Sequence, residues 1–296
     1  MGLKNHLWIK MNISYKNLLD ETMKSMNDNI ISKLELEYCL AESTHKSINS
    51  LKLNSETKIK SSQLKKFNMF VIQLASGKPL AYILNNQPFH NYSYYVDERV
   101  LIPRQETEII IDEIIRQGDL IKKSGSSVSI IDAGSGSGCI GLTIAQERPE
   151  WKIILVEKSL AAISVLSKNL IDSKCTNCEI LESDWLENCE HQSADIIISN
   201  PPYVKHDSKM LRKSVAFYEP DMALYSHNNG LEDMKKIIIQ SKEVLKQDGF
   251  LFLENGYDQS GRVTRFLEKH YYGDIRVILD YNQIRRFTVS RNNKNG

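Results

Sequence analysis

Ser129-Ile130-Ile131-Asp132-Ala133-Gly134-Ser135-Gly136-Ser137-Gly138-Cys139-Ile140-Gly141 is the segment on which the fold turns. A short apolar run ends at an acidic residue, glycines recur at alternate positions, and apolar residues then resume at helical spacing. A buried strand thus enters a tight turn and leaves it as a helix. Outward from this unit, apolar strands alternate with amphipathic helices. Strands are predicted over 128–133, 152–156, 178–181, 194–199, 249–254, 275–279 and 285–289, and helices over 105–117, 138–147, 159–172, 231–247 and 258–270. This alternation predicts an α/β fold whose largely parallel sheet is covered on both faces, with ligand sites at the C-terminal strand ends.

Upstream the period changes. Leu18, Leu19, Met23 and Met26 fit one helical face, and Ile30, Ile31, Leu34, Leu36, Tyr38 and Leu40 suggest a second helix. Leu64, Phe67, Phe70, Val71 and Leu74 fit a third, ended by Gly77 and Pro79. The tyrosine-rich run Phe89 to Val96 predicts a β-hairpin, with Asn85-Asn86 as an earlier turn. The expected organisation is a helical domain over 1–79, a hairpin linker over 80–103 and the α/β domain over 104–296.

The 296 residues are 41% hydrophobic and 25% charged, with 38 Lys+Arg against 37 Asp+Glu, values that disfavour disorder, collagen-like repeats and a disulfide scaffold. No apolar run approaches the roughly 20 residues needed to span a bilayer. Five cysteines without regular spacing point to a reducing compartment. Met1 to Lys10 lack the apolar centre of a secretory signal, so a cytoplasmic protein, free of membrane and monomeric, is expected. Residues 1–80 hold 12 Lys, no Arg and 7 Asp+Glu, a net of +5 that leaves −4 for the remainder; a solvated Lys-rich helical face explains it.

Two glycine patterns overlap in the deciding segment. Gly136-x-Gly138-x-x-Gly141, with Glu157 roughly 20 residues on, fits a dinucleotide fingerprint. Asp132 followed at once by Gly134-x-Gly136-x-Gly138 instead matches the first motif of class I S-adenosylmethionine methyltransferases, and the dinucleotide register fails because its loop normally starts at the first glycine. Ser135 and Ser137 sit between those glycines. Glu157 closes the next strand, where a carboxylate can accept from both ribose hydroxyls. Asp184 and Trp185 follow the third strand, placed to meet an adenine amino group and to pack on its ring.

A second strand, Asp195 to Ser199, runs directly into Asn200-Pro201-Pro202-Tyr203. Two prolines remove two donors and stiffen the exit, so carbonyls there accept from something other than the sheet. The Asn200 side-chain oxygen and the Pro201 carbonyl can receive both hydrogens of one planar –NH2 group, while Tyr203 offers a face for stacking. Such a nitrogen is a poor nucleophile, because its lone pair is delocalised. A site that methylates it must work by aim and by oxygen acceptors. No metal is expected.

These residues resemble the PrmC/HemK family, the S-adenosylmethionine-dependent glutamine N5-methyltransferases acting on peptide-chain release factors. Gly77 to Ile83, Val100-Leu101-Ile102-Pro103-Arg104-Gln105-Glu106-Thr107-Glu108, Tyr218 to Leu224 and Leu251 to Gln259 look like further family segments. The likeness runs from about 77 to 289; the first 76 residues agree only in helical character and length. The resemblance implies a class I seven-stranded catalytic domain with a helical bundle that recognises the release factor, and a glutamine acceptor in that factor's Gly-Gly-Gln loop. It implies cofactor contacts from Gly134 to Gly138, Glu157, Trp185 and Asn200, with Asn200 to Tyr203 holding the glutamine amide. Gln105, Glu157 and Asn255 depart from the usual proline, aspartate and apolar residue; Glu157 keeps its carboxylate.

Three other readings compete. Adenine methylation in nucleic acid uses the same tetrapeptide but needs a base-flipping route and a broad cationic face, and no Arg-rich stripe is visible. Relatives acting on a ribosomal-protein glutamine share the chemistry. Cys175-x-x-Cys178 with Cys189 and His191 counts four zinc ligands, although a predicted strand and Asp184-Trp185 separate the pairs.

Overall fold

A computed structural model of the chain describes residues 13–25, 31–123, 127–205 and 213–293. The expectations placed on Met1 to Lys10, Met26 and Ile30 lie outside the described residues. The chain divides into two compact units, Met1–Asn85 and Asn86–Gly296. No described helix is long and apolar enough to cross a membrane.

The first unit is helical: α1 (Tyr15–Ser25), α2 (Lys33–Thr44), α3 (Ile48–Leu53), α4 (Ser61–Ala75) and α5 (Leu80–Leu84). Helix α2 starts at a reciprocal cap in which Ser32 and Glu35 satisfy each other's backbone donors. Leu18, Leu36, Leu40, Phe67 and Val71 are completely buried in one core. Leu34 and Tyr38, expected on the inner face of α2, are exposed, because Cys39 takes that face with Leu36 and Leu40. Leu80–Leu84 is helical and buries Ile83 in this same core, so this stretch belongs with the helices rather than with the hairpin. Asn85 ends α5 in the left-handed region, which is the turn that Asn85-Asn86 predicted.

The second unit opens with the hairpin β1 (Gln87–Phe89) and β2 (Tyr92–Tyr94), whose Phe89 and Tyr94 are buried in the α/β core. Then come α6 (Gln105–Lys123), β3 (Ser129–Ala133), α7 (Cys139–Glu147), β4 (Lys152–Glu157), α8 (Leu160–Ser173), β5 (Cys178–Glu182) and β6 (Ala194–Ser199). Three short turns, α9 (Lys213–Tyr218), α10 (Asp221–Leu224) and α11 (His227–Gly230), lead into α12 (Glu232–Val244), β7 (Leu245–Glu254), α13 (Ser260–Lys269), β8 (Tyr272–Leu279) and β9 (Arg285–Asn292). The seven-stranded sheet has the order β5-β4-β3-β6-β7-β9-β8; β3 to β7 run parallel, and β9 is antiparallel to both neighbours. Strand order reverses between β3 and β6, so their C-terminal ends flank the crevice where such sheets bind ligands. Residues alternate along β3, Ile130 facing one core and Ile131 the other.

Two boundaries differ from expectation for packing reasons. Helix α6 runs on through Gly118, because the Trp151 ring lies where a Cβ would stand, 2.2 Å from its nearest ring atom. The helix predicted over 231–247 stops at Val244, since Leu245 already pairs with Ala194 across a register shift at the start of β7.

Candidate active site

The C-terminal ends of β3, β4, β5 and β6 open into a cavity of about 480 Å³, within the roughly 300–1,000 Å³ usual for small-molecule sites. Gly134 to Ser137 form its floor, with Glu157, Asp184, Trp185, Asn200 and Pro202 around it and segments 98–104 and 220–223 at its mouth. Ser135 and Ser137 are almost wholly buried there, and Ser135 Oγ donates to the Asp132 carbonyl at 2.8 Å. Gly134, Gly136 and Gly138 all have positive φ. At Gly134 the requirement is double: φ is +78°, and a Cβ would stand 2.7 Å from the Trp185 ring.

Asp132 does not line the cavity. It is buried beneath the loop, where Oδ2 accepts from Gly141 N at 2.9 Å and so ties the strand end to the first turn of α7. Burial pushes its carboxyl up to about 7, despite that hydrogen bond. Its part is to hold the loop in shape.

Glu157 faces the loop from β4. Oε2 accepts from Gly136 N at 2.9 Å, and Oε1 accepts from Lys158 N and Ser159 N, each at 2.8 Å. One carboxylate thereby sets the height of the glycine loop and the start of α8. Asp184 pairs with Lys158 at 2.8 Å on the cavity rim. Trp185, itself at φ +55°, lies against Gly134 and donates Nε1–H to Asp233 Oδ1 at 3.2 Å. A Cβ at Gly136 would meet nothing within 4 Å, so bare loop backbone faces open space there.

Asn200 stands half-buried at the end of β6. Its Nδ2 donates to Thr107 Oγ1 at 3.4 Å; Thr107 Oγ1 donates to Glu254 Oε2 at 2.7 Å; Tyr203 OH donates to Glu254 Oε1 at 3.2 Å. Pro201 is buried and, unlike Asn200 and Pro202, is not among the cavity-lining residues, and among the described residues nothing donates to its carbonyl. The Tyr203 ring does not reach the cavity wall, contrary to its expected stacking role. It turns toward Glu254, and its carbonyl accepts from Gln259 Nε2 at 2.9 Å. At Gly230 (φ +77°) a Cβ would stand 2.0 Å from that carbonyl, so only glycine fits behind the turn.

Sequence reasoning assigned no role to Thr107, Glu219, Glu254 or Gln259. Glu254 carried a signal, an acidic residue closing the apolar run Leu251-Phe252-Leu253. At the mouth, Arg104 Nη2 donates to both oxygens of buried Glu219 at 2.8 and 2.9 Å, and Ile102 N donates to the same carboxylate at 3.2 Å. The four candidate zinc ligands do not converge. Cys175 and Cys178 pack on one face of the sheet, Cys189 on the other, and His191 lies 3.9 Å from Glu243. No group of three metal-binding side chains occurs among the described residues.

Family profiles described as the PrmC N-terminal domain and the methyltransferase small domain match residues 18–84 and 118–220. Over 281 residues the chain is 31% identical to the release factor glutamine methyltransferase of Francisella tularensis subsp. tularensis, covering 95% of this chain and 98% of that protein. Its identity to the release factor glutamine methyltransferase of Escherichia coli strain K12 is 28% over 279 residues, covering 94% and 99%. Among solved structures, a methyltransferase from Pyrococcus furiosus matches with a TM-score of 0.50 at 14% identity, covering 70% of this chain and 88% of that one, a likeness of fold alone.

Proposed function

Because the chain belongs to the release factor glutamine methyltransferase family, we propose that it methylates the side-chain nitrogen of the glutamine in the Gly-Gly-Gln loop of peptide-chain release factors. The observation that carries this reading is that Asn200 stands on the wall of the same cavity that the glycine loop, Glu157 and Trp185 line. Bound there, S-adenosylmethionine supplies an electrophilic methyl group on a sulfonium sulfur. The open backbone at Gly136, the Glu157 carboxylate and the Trp185 ring suit a nucleoside with a short charged tail. Glu157 still has acceptor capacity for a ribose hydroxyl beside its three backbone donors.

The chain's own part in the chemistry is aim and charge. Asn200 Oδ1 and the Pro201 carbonyl accept the two N–H groups of the acceptor carboxamide, which turns its nitrogen toward the methyl group. As the N–CH3 bond forms, the S–CH3 bond breaks and its electron pair stays on sulfur, leaving S-adenosylhomocysteine; the positive charge passes to the nitrogen, and the same two oxygens stabilise it. The proton leaves once the bond is made, so no strong base is required. Pro202 and the segments at the mouth exclude water. On this reading the helical unit recognises the release factor, and the enzyme acts as a cytoplasmic monomer without stable nucleic-acid binding. The test is incubation with isotopically labelled S-adenosylmethionine and purified release factor, followed by mass spectrometry of the factor. Label on the Gly-Gly-Gln glutamine is expected; label elsewhere, or none, overturns the reading.

A further inference from the structure

Asn200 has two chemically opposite ends. The proposed reaction needs its oxygen in the cavity; a flipped amide would present –NH2 and repel the acceptor's own –NH2. Something must select the orientation. The hydrogen bonds beneath Asn200 run in one direction. Thr107, with one hydroxyl hydrogen, spends it on Glu254 at 2.7 Å, so toward Asn200 it offers a lone pair and can only receive. Asn200 Nδ2 donates to it at 3.4 Å. Tyr203 likewise spends its hydrogen on the other oxygen of Glu254. Thr107 and Glu254 are both buried, and Glu254 is an acceptor from both sides only as a carboxylate.

We propose that Glu254, acting through Thr107, is a positioning residue that fixes which end of the Asn200 amide faces the cavity. The inference rests on the role given to Asn200 above. Protonating Glu254 supplies a competing donor. If that hydrogen goes to Thr107, the Thr107 hydroxyl turns toward Asn200 and the amide flips. The groups acting on Glu254 are Thr107 on α6, Tyr203 after β6, Arg286 on β9 and Glu106 on α6, with Cys139 on α7 also in its field. Burial pushes Glu254 up to about 7, against the hydrogen bonds from Thr107 and Tyr203 and the charge of Arg286. The switch from wrong to right orientation therefore falls within the pH range where the enzyme can be assayed.

The experiment compares wild type, Thr107→Val, Thr107→Ser and Glu254→Gln by single-turnover methyl transfer to purified release factor, S-adenosylhomocysteine binding by calorimetry, and the pH profile of kcat. Thr107→Val should lower kcat by about tenfold or more, with S-adenosylhomocysteine affinity changed less than about twofold, and Thr107→Ser should restore most of the rate. Wild-type kcat should rise with pH through about 7, and that limb should vanish in Glu254→Gln. The proposal fails if Thr107→Ser is no better than Thr107→Val, if donor affinity falls as far as kcat, or if Glu254→Gln keeps the limb. A readout without any release factor uses selective 15N-Asn labelling. The Asn200 side-chain NH2 resonances should move with pH in wild type and stay fixed in Thr107→Val; fixed resonances in wild type overturn the relay. An inactive wild type whose Asn200 resonances still titrate would instead overturn the substrate assignment and leave the relay standing.

Discussion

Glu157 accepts three backbone N–H groups, so the residue proposed to receive the ribose also holds the glycine loop and the start of α8. Hydrogen bonds to a charged group contribute about 1.5–3 kcal/mol each, and a tenfold change in affinity is about 1.4 kcal/mol. Glu157→Ala should therefore weaken S-adenosylhomocysteine binding by about a hundredfold, since both the ribose partner and the loop height are lost; calorimetry measures it. Asn200→Ala should separate differently. The transfer rate should fall by about a hundredfold or more, as on removal of an oxyanion-hole donor, while S-adenosylhomocysteine affinity changes by less than about tenfold. Equal losses in both would place Asn200 on the donor rather than on the acceptor. Both positions were legible in the sequence, because Glu157 closes one buried strand and Asn200 follows another, each where the apolar period breaks. Thr107 and Gln259 were not, and the acid closing Leu251-Phe252-Leu253 marked Glu254 only as a strand end: their partners lie 147, 56 and 51 positions away, and no local pattern encodes a contact at that range.

At the scale of elements, the cavity mouth is held by one buried carboxylate. Glu219 receives Arg104 through both oxygens and also the Ile102 amide, so it ties the segment entering α6 to the one entering α10. Removing one partner of a buried pair leaves the other charge without compensation, which typically costs about 3–5 kcal/mol. Arg104 is 31% exposed and can turn to water, so Glu219→Ala should cost less, about 2 kcal/mol by urea unfolding, with a several-fold rise in KM for release factor. Arg104→Lys keeps the charge, and since one Arg104 nitrogen, Nη2, reaches both Glu219 oxygens, an ammonium can replace it in part; this variant should cost less than Glu219→Ala. The elements themselves were mostly readable from periodicity, since all seven strands of the sheet were expected. What escaped was tertiary in origin. Gly118 reads as a helix end until Trp151 is seen against it, and 245–247 read as helix until Ala194 supplies a strand partner.

For the whole molecule, two buried carboxyls set an opposing pH trend. Burial raises Asp132 and Glu254 from ordinary values of 3.8 and 4.5 to about 7 in each case. Between those limits the folded chain holds protons that the unfolded chain has released. Their contribution is thus greatest at low pH and declines as pH climbs toward 7. Glu113 acts in the other sense. Its partial burial is outweighed by hydrogen bonds from Arg116, Gln117 and Arg276, which hold it at about 2, so its contribution is lost only as pH falls below the usual carboxylate range. The two trends together place maximum stability of the α/β unit on the acid side of neutrality. Its urea midpoint should fall steadily from about pH 5 to about pH 7.5. Asp132→Asn isolates the cause: the amide oxygen still accepts from Gly141 N, but no charge is buried as pH rises. That variant should lose about half of the decline while keeping the wild-type midpoint near pH 5. An unchanged slope would mean that Asp132 is ionised at little cost beneath the loop, with the loop backbone compensating its charge.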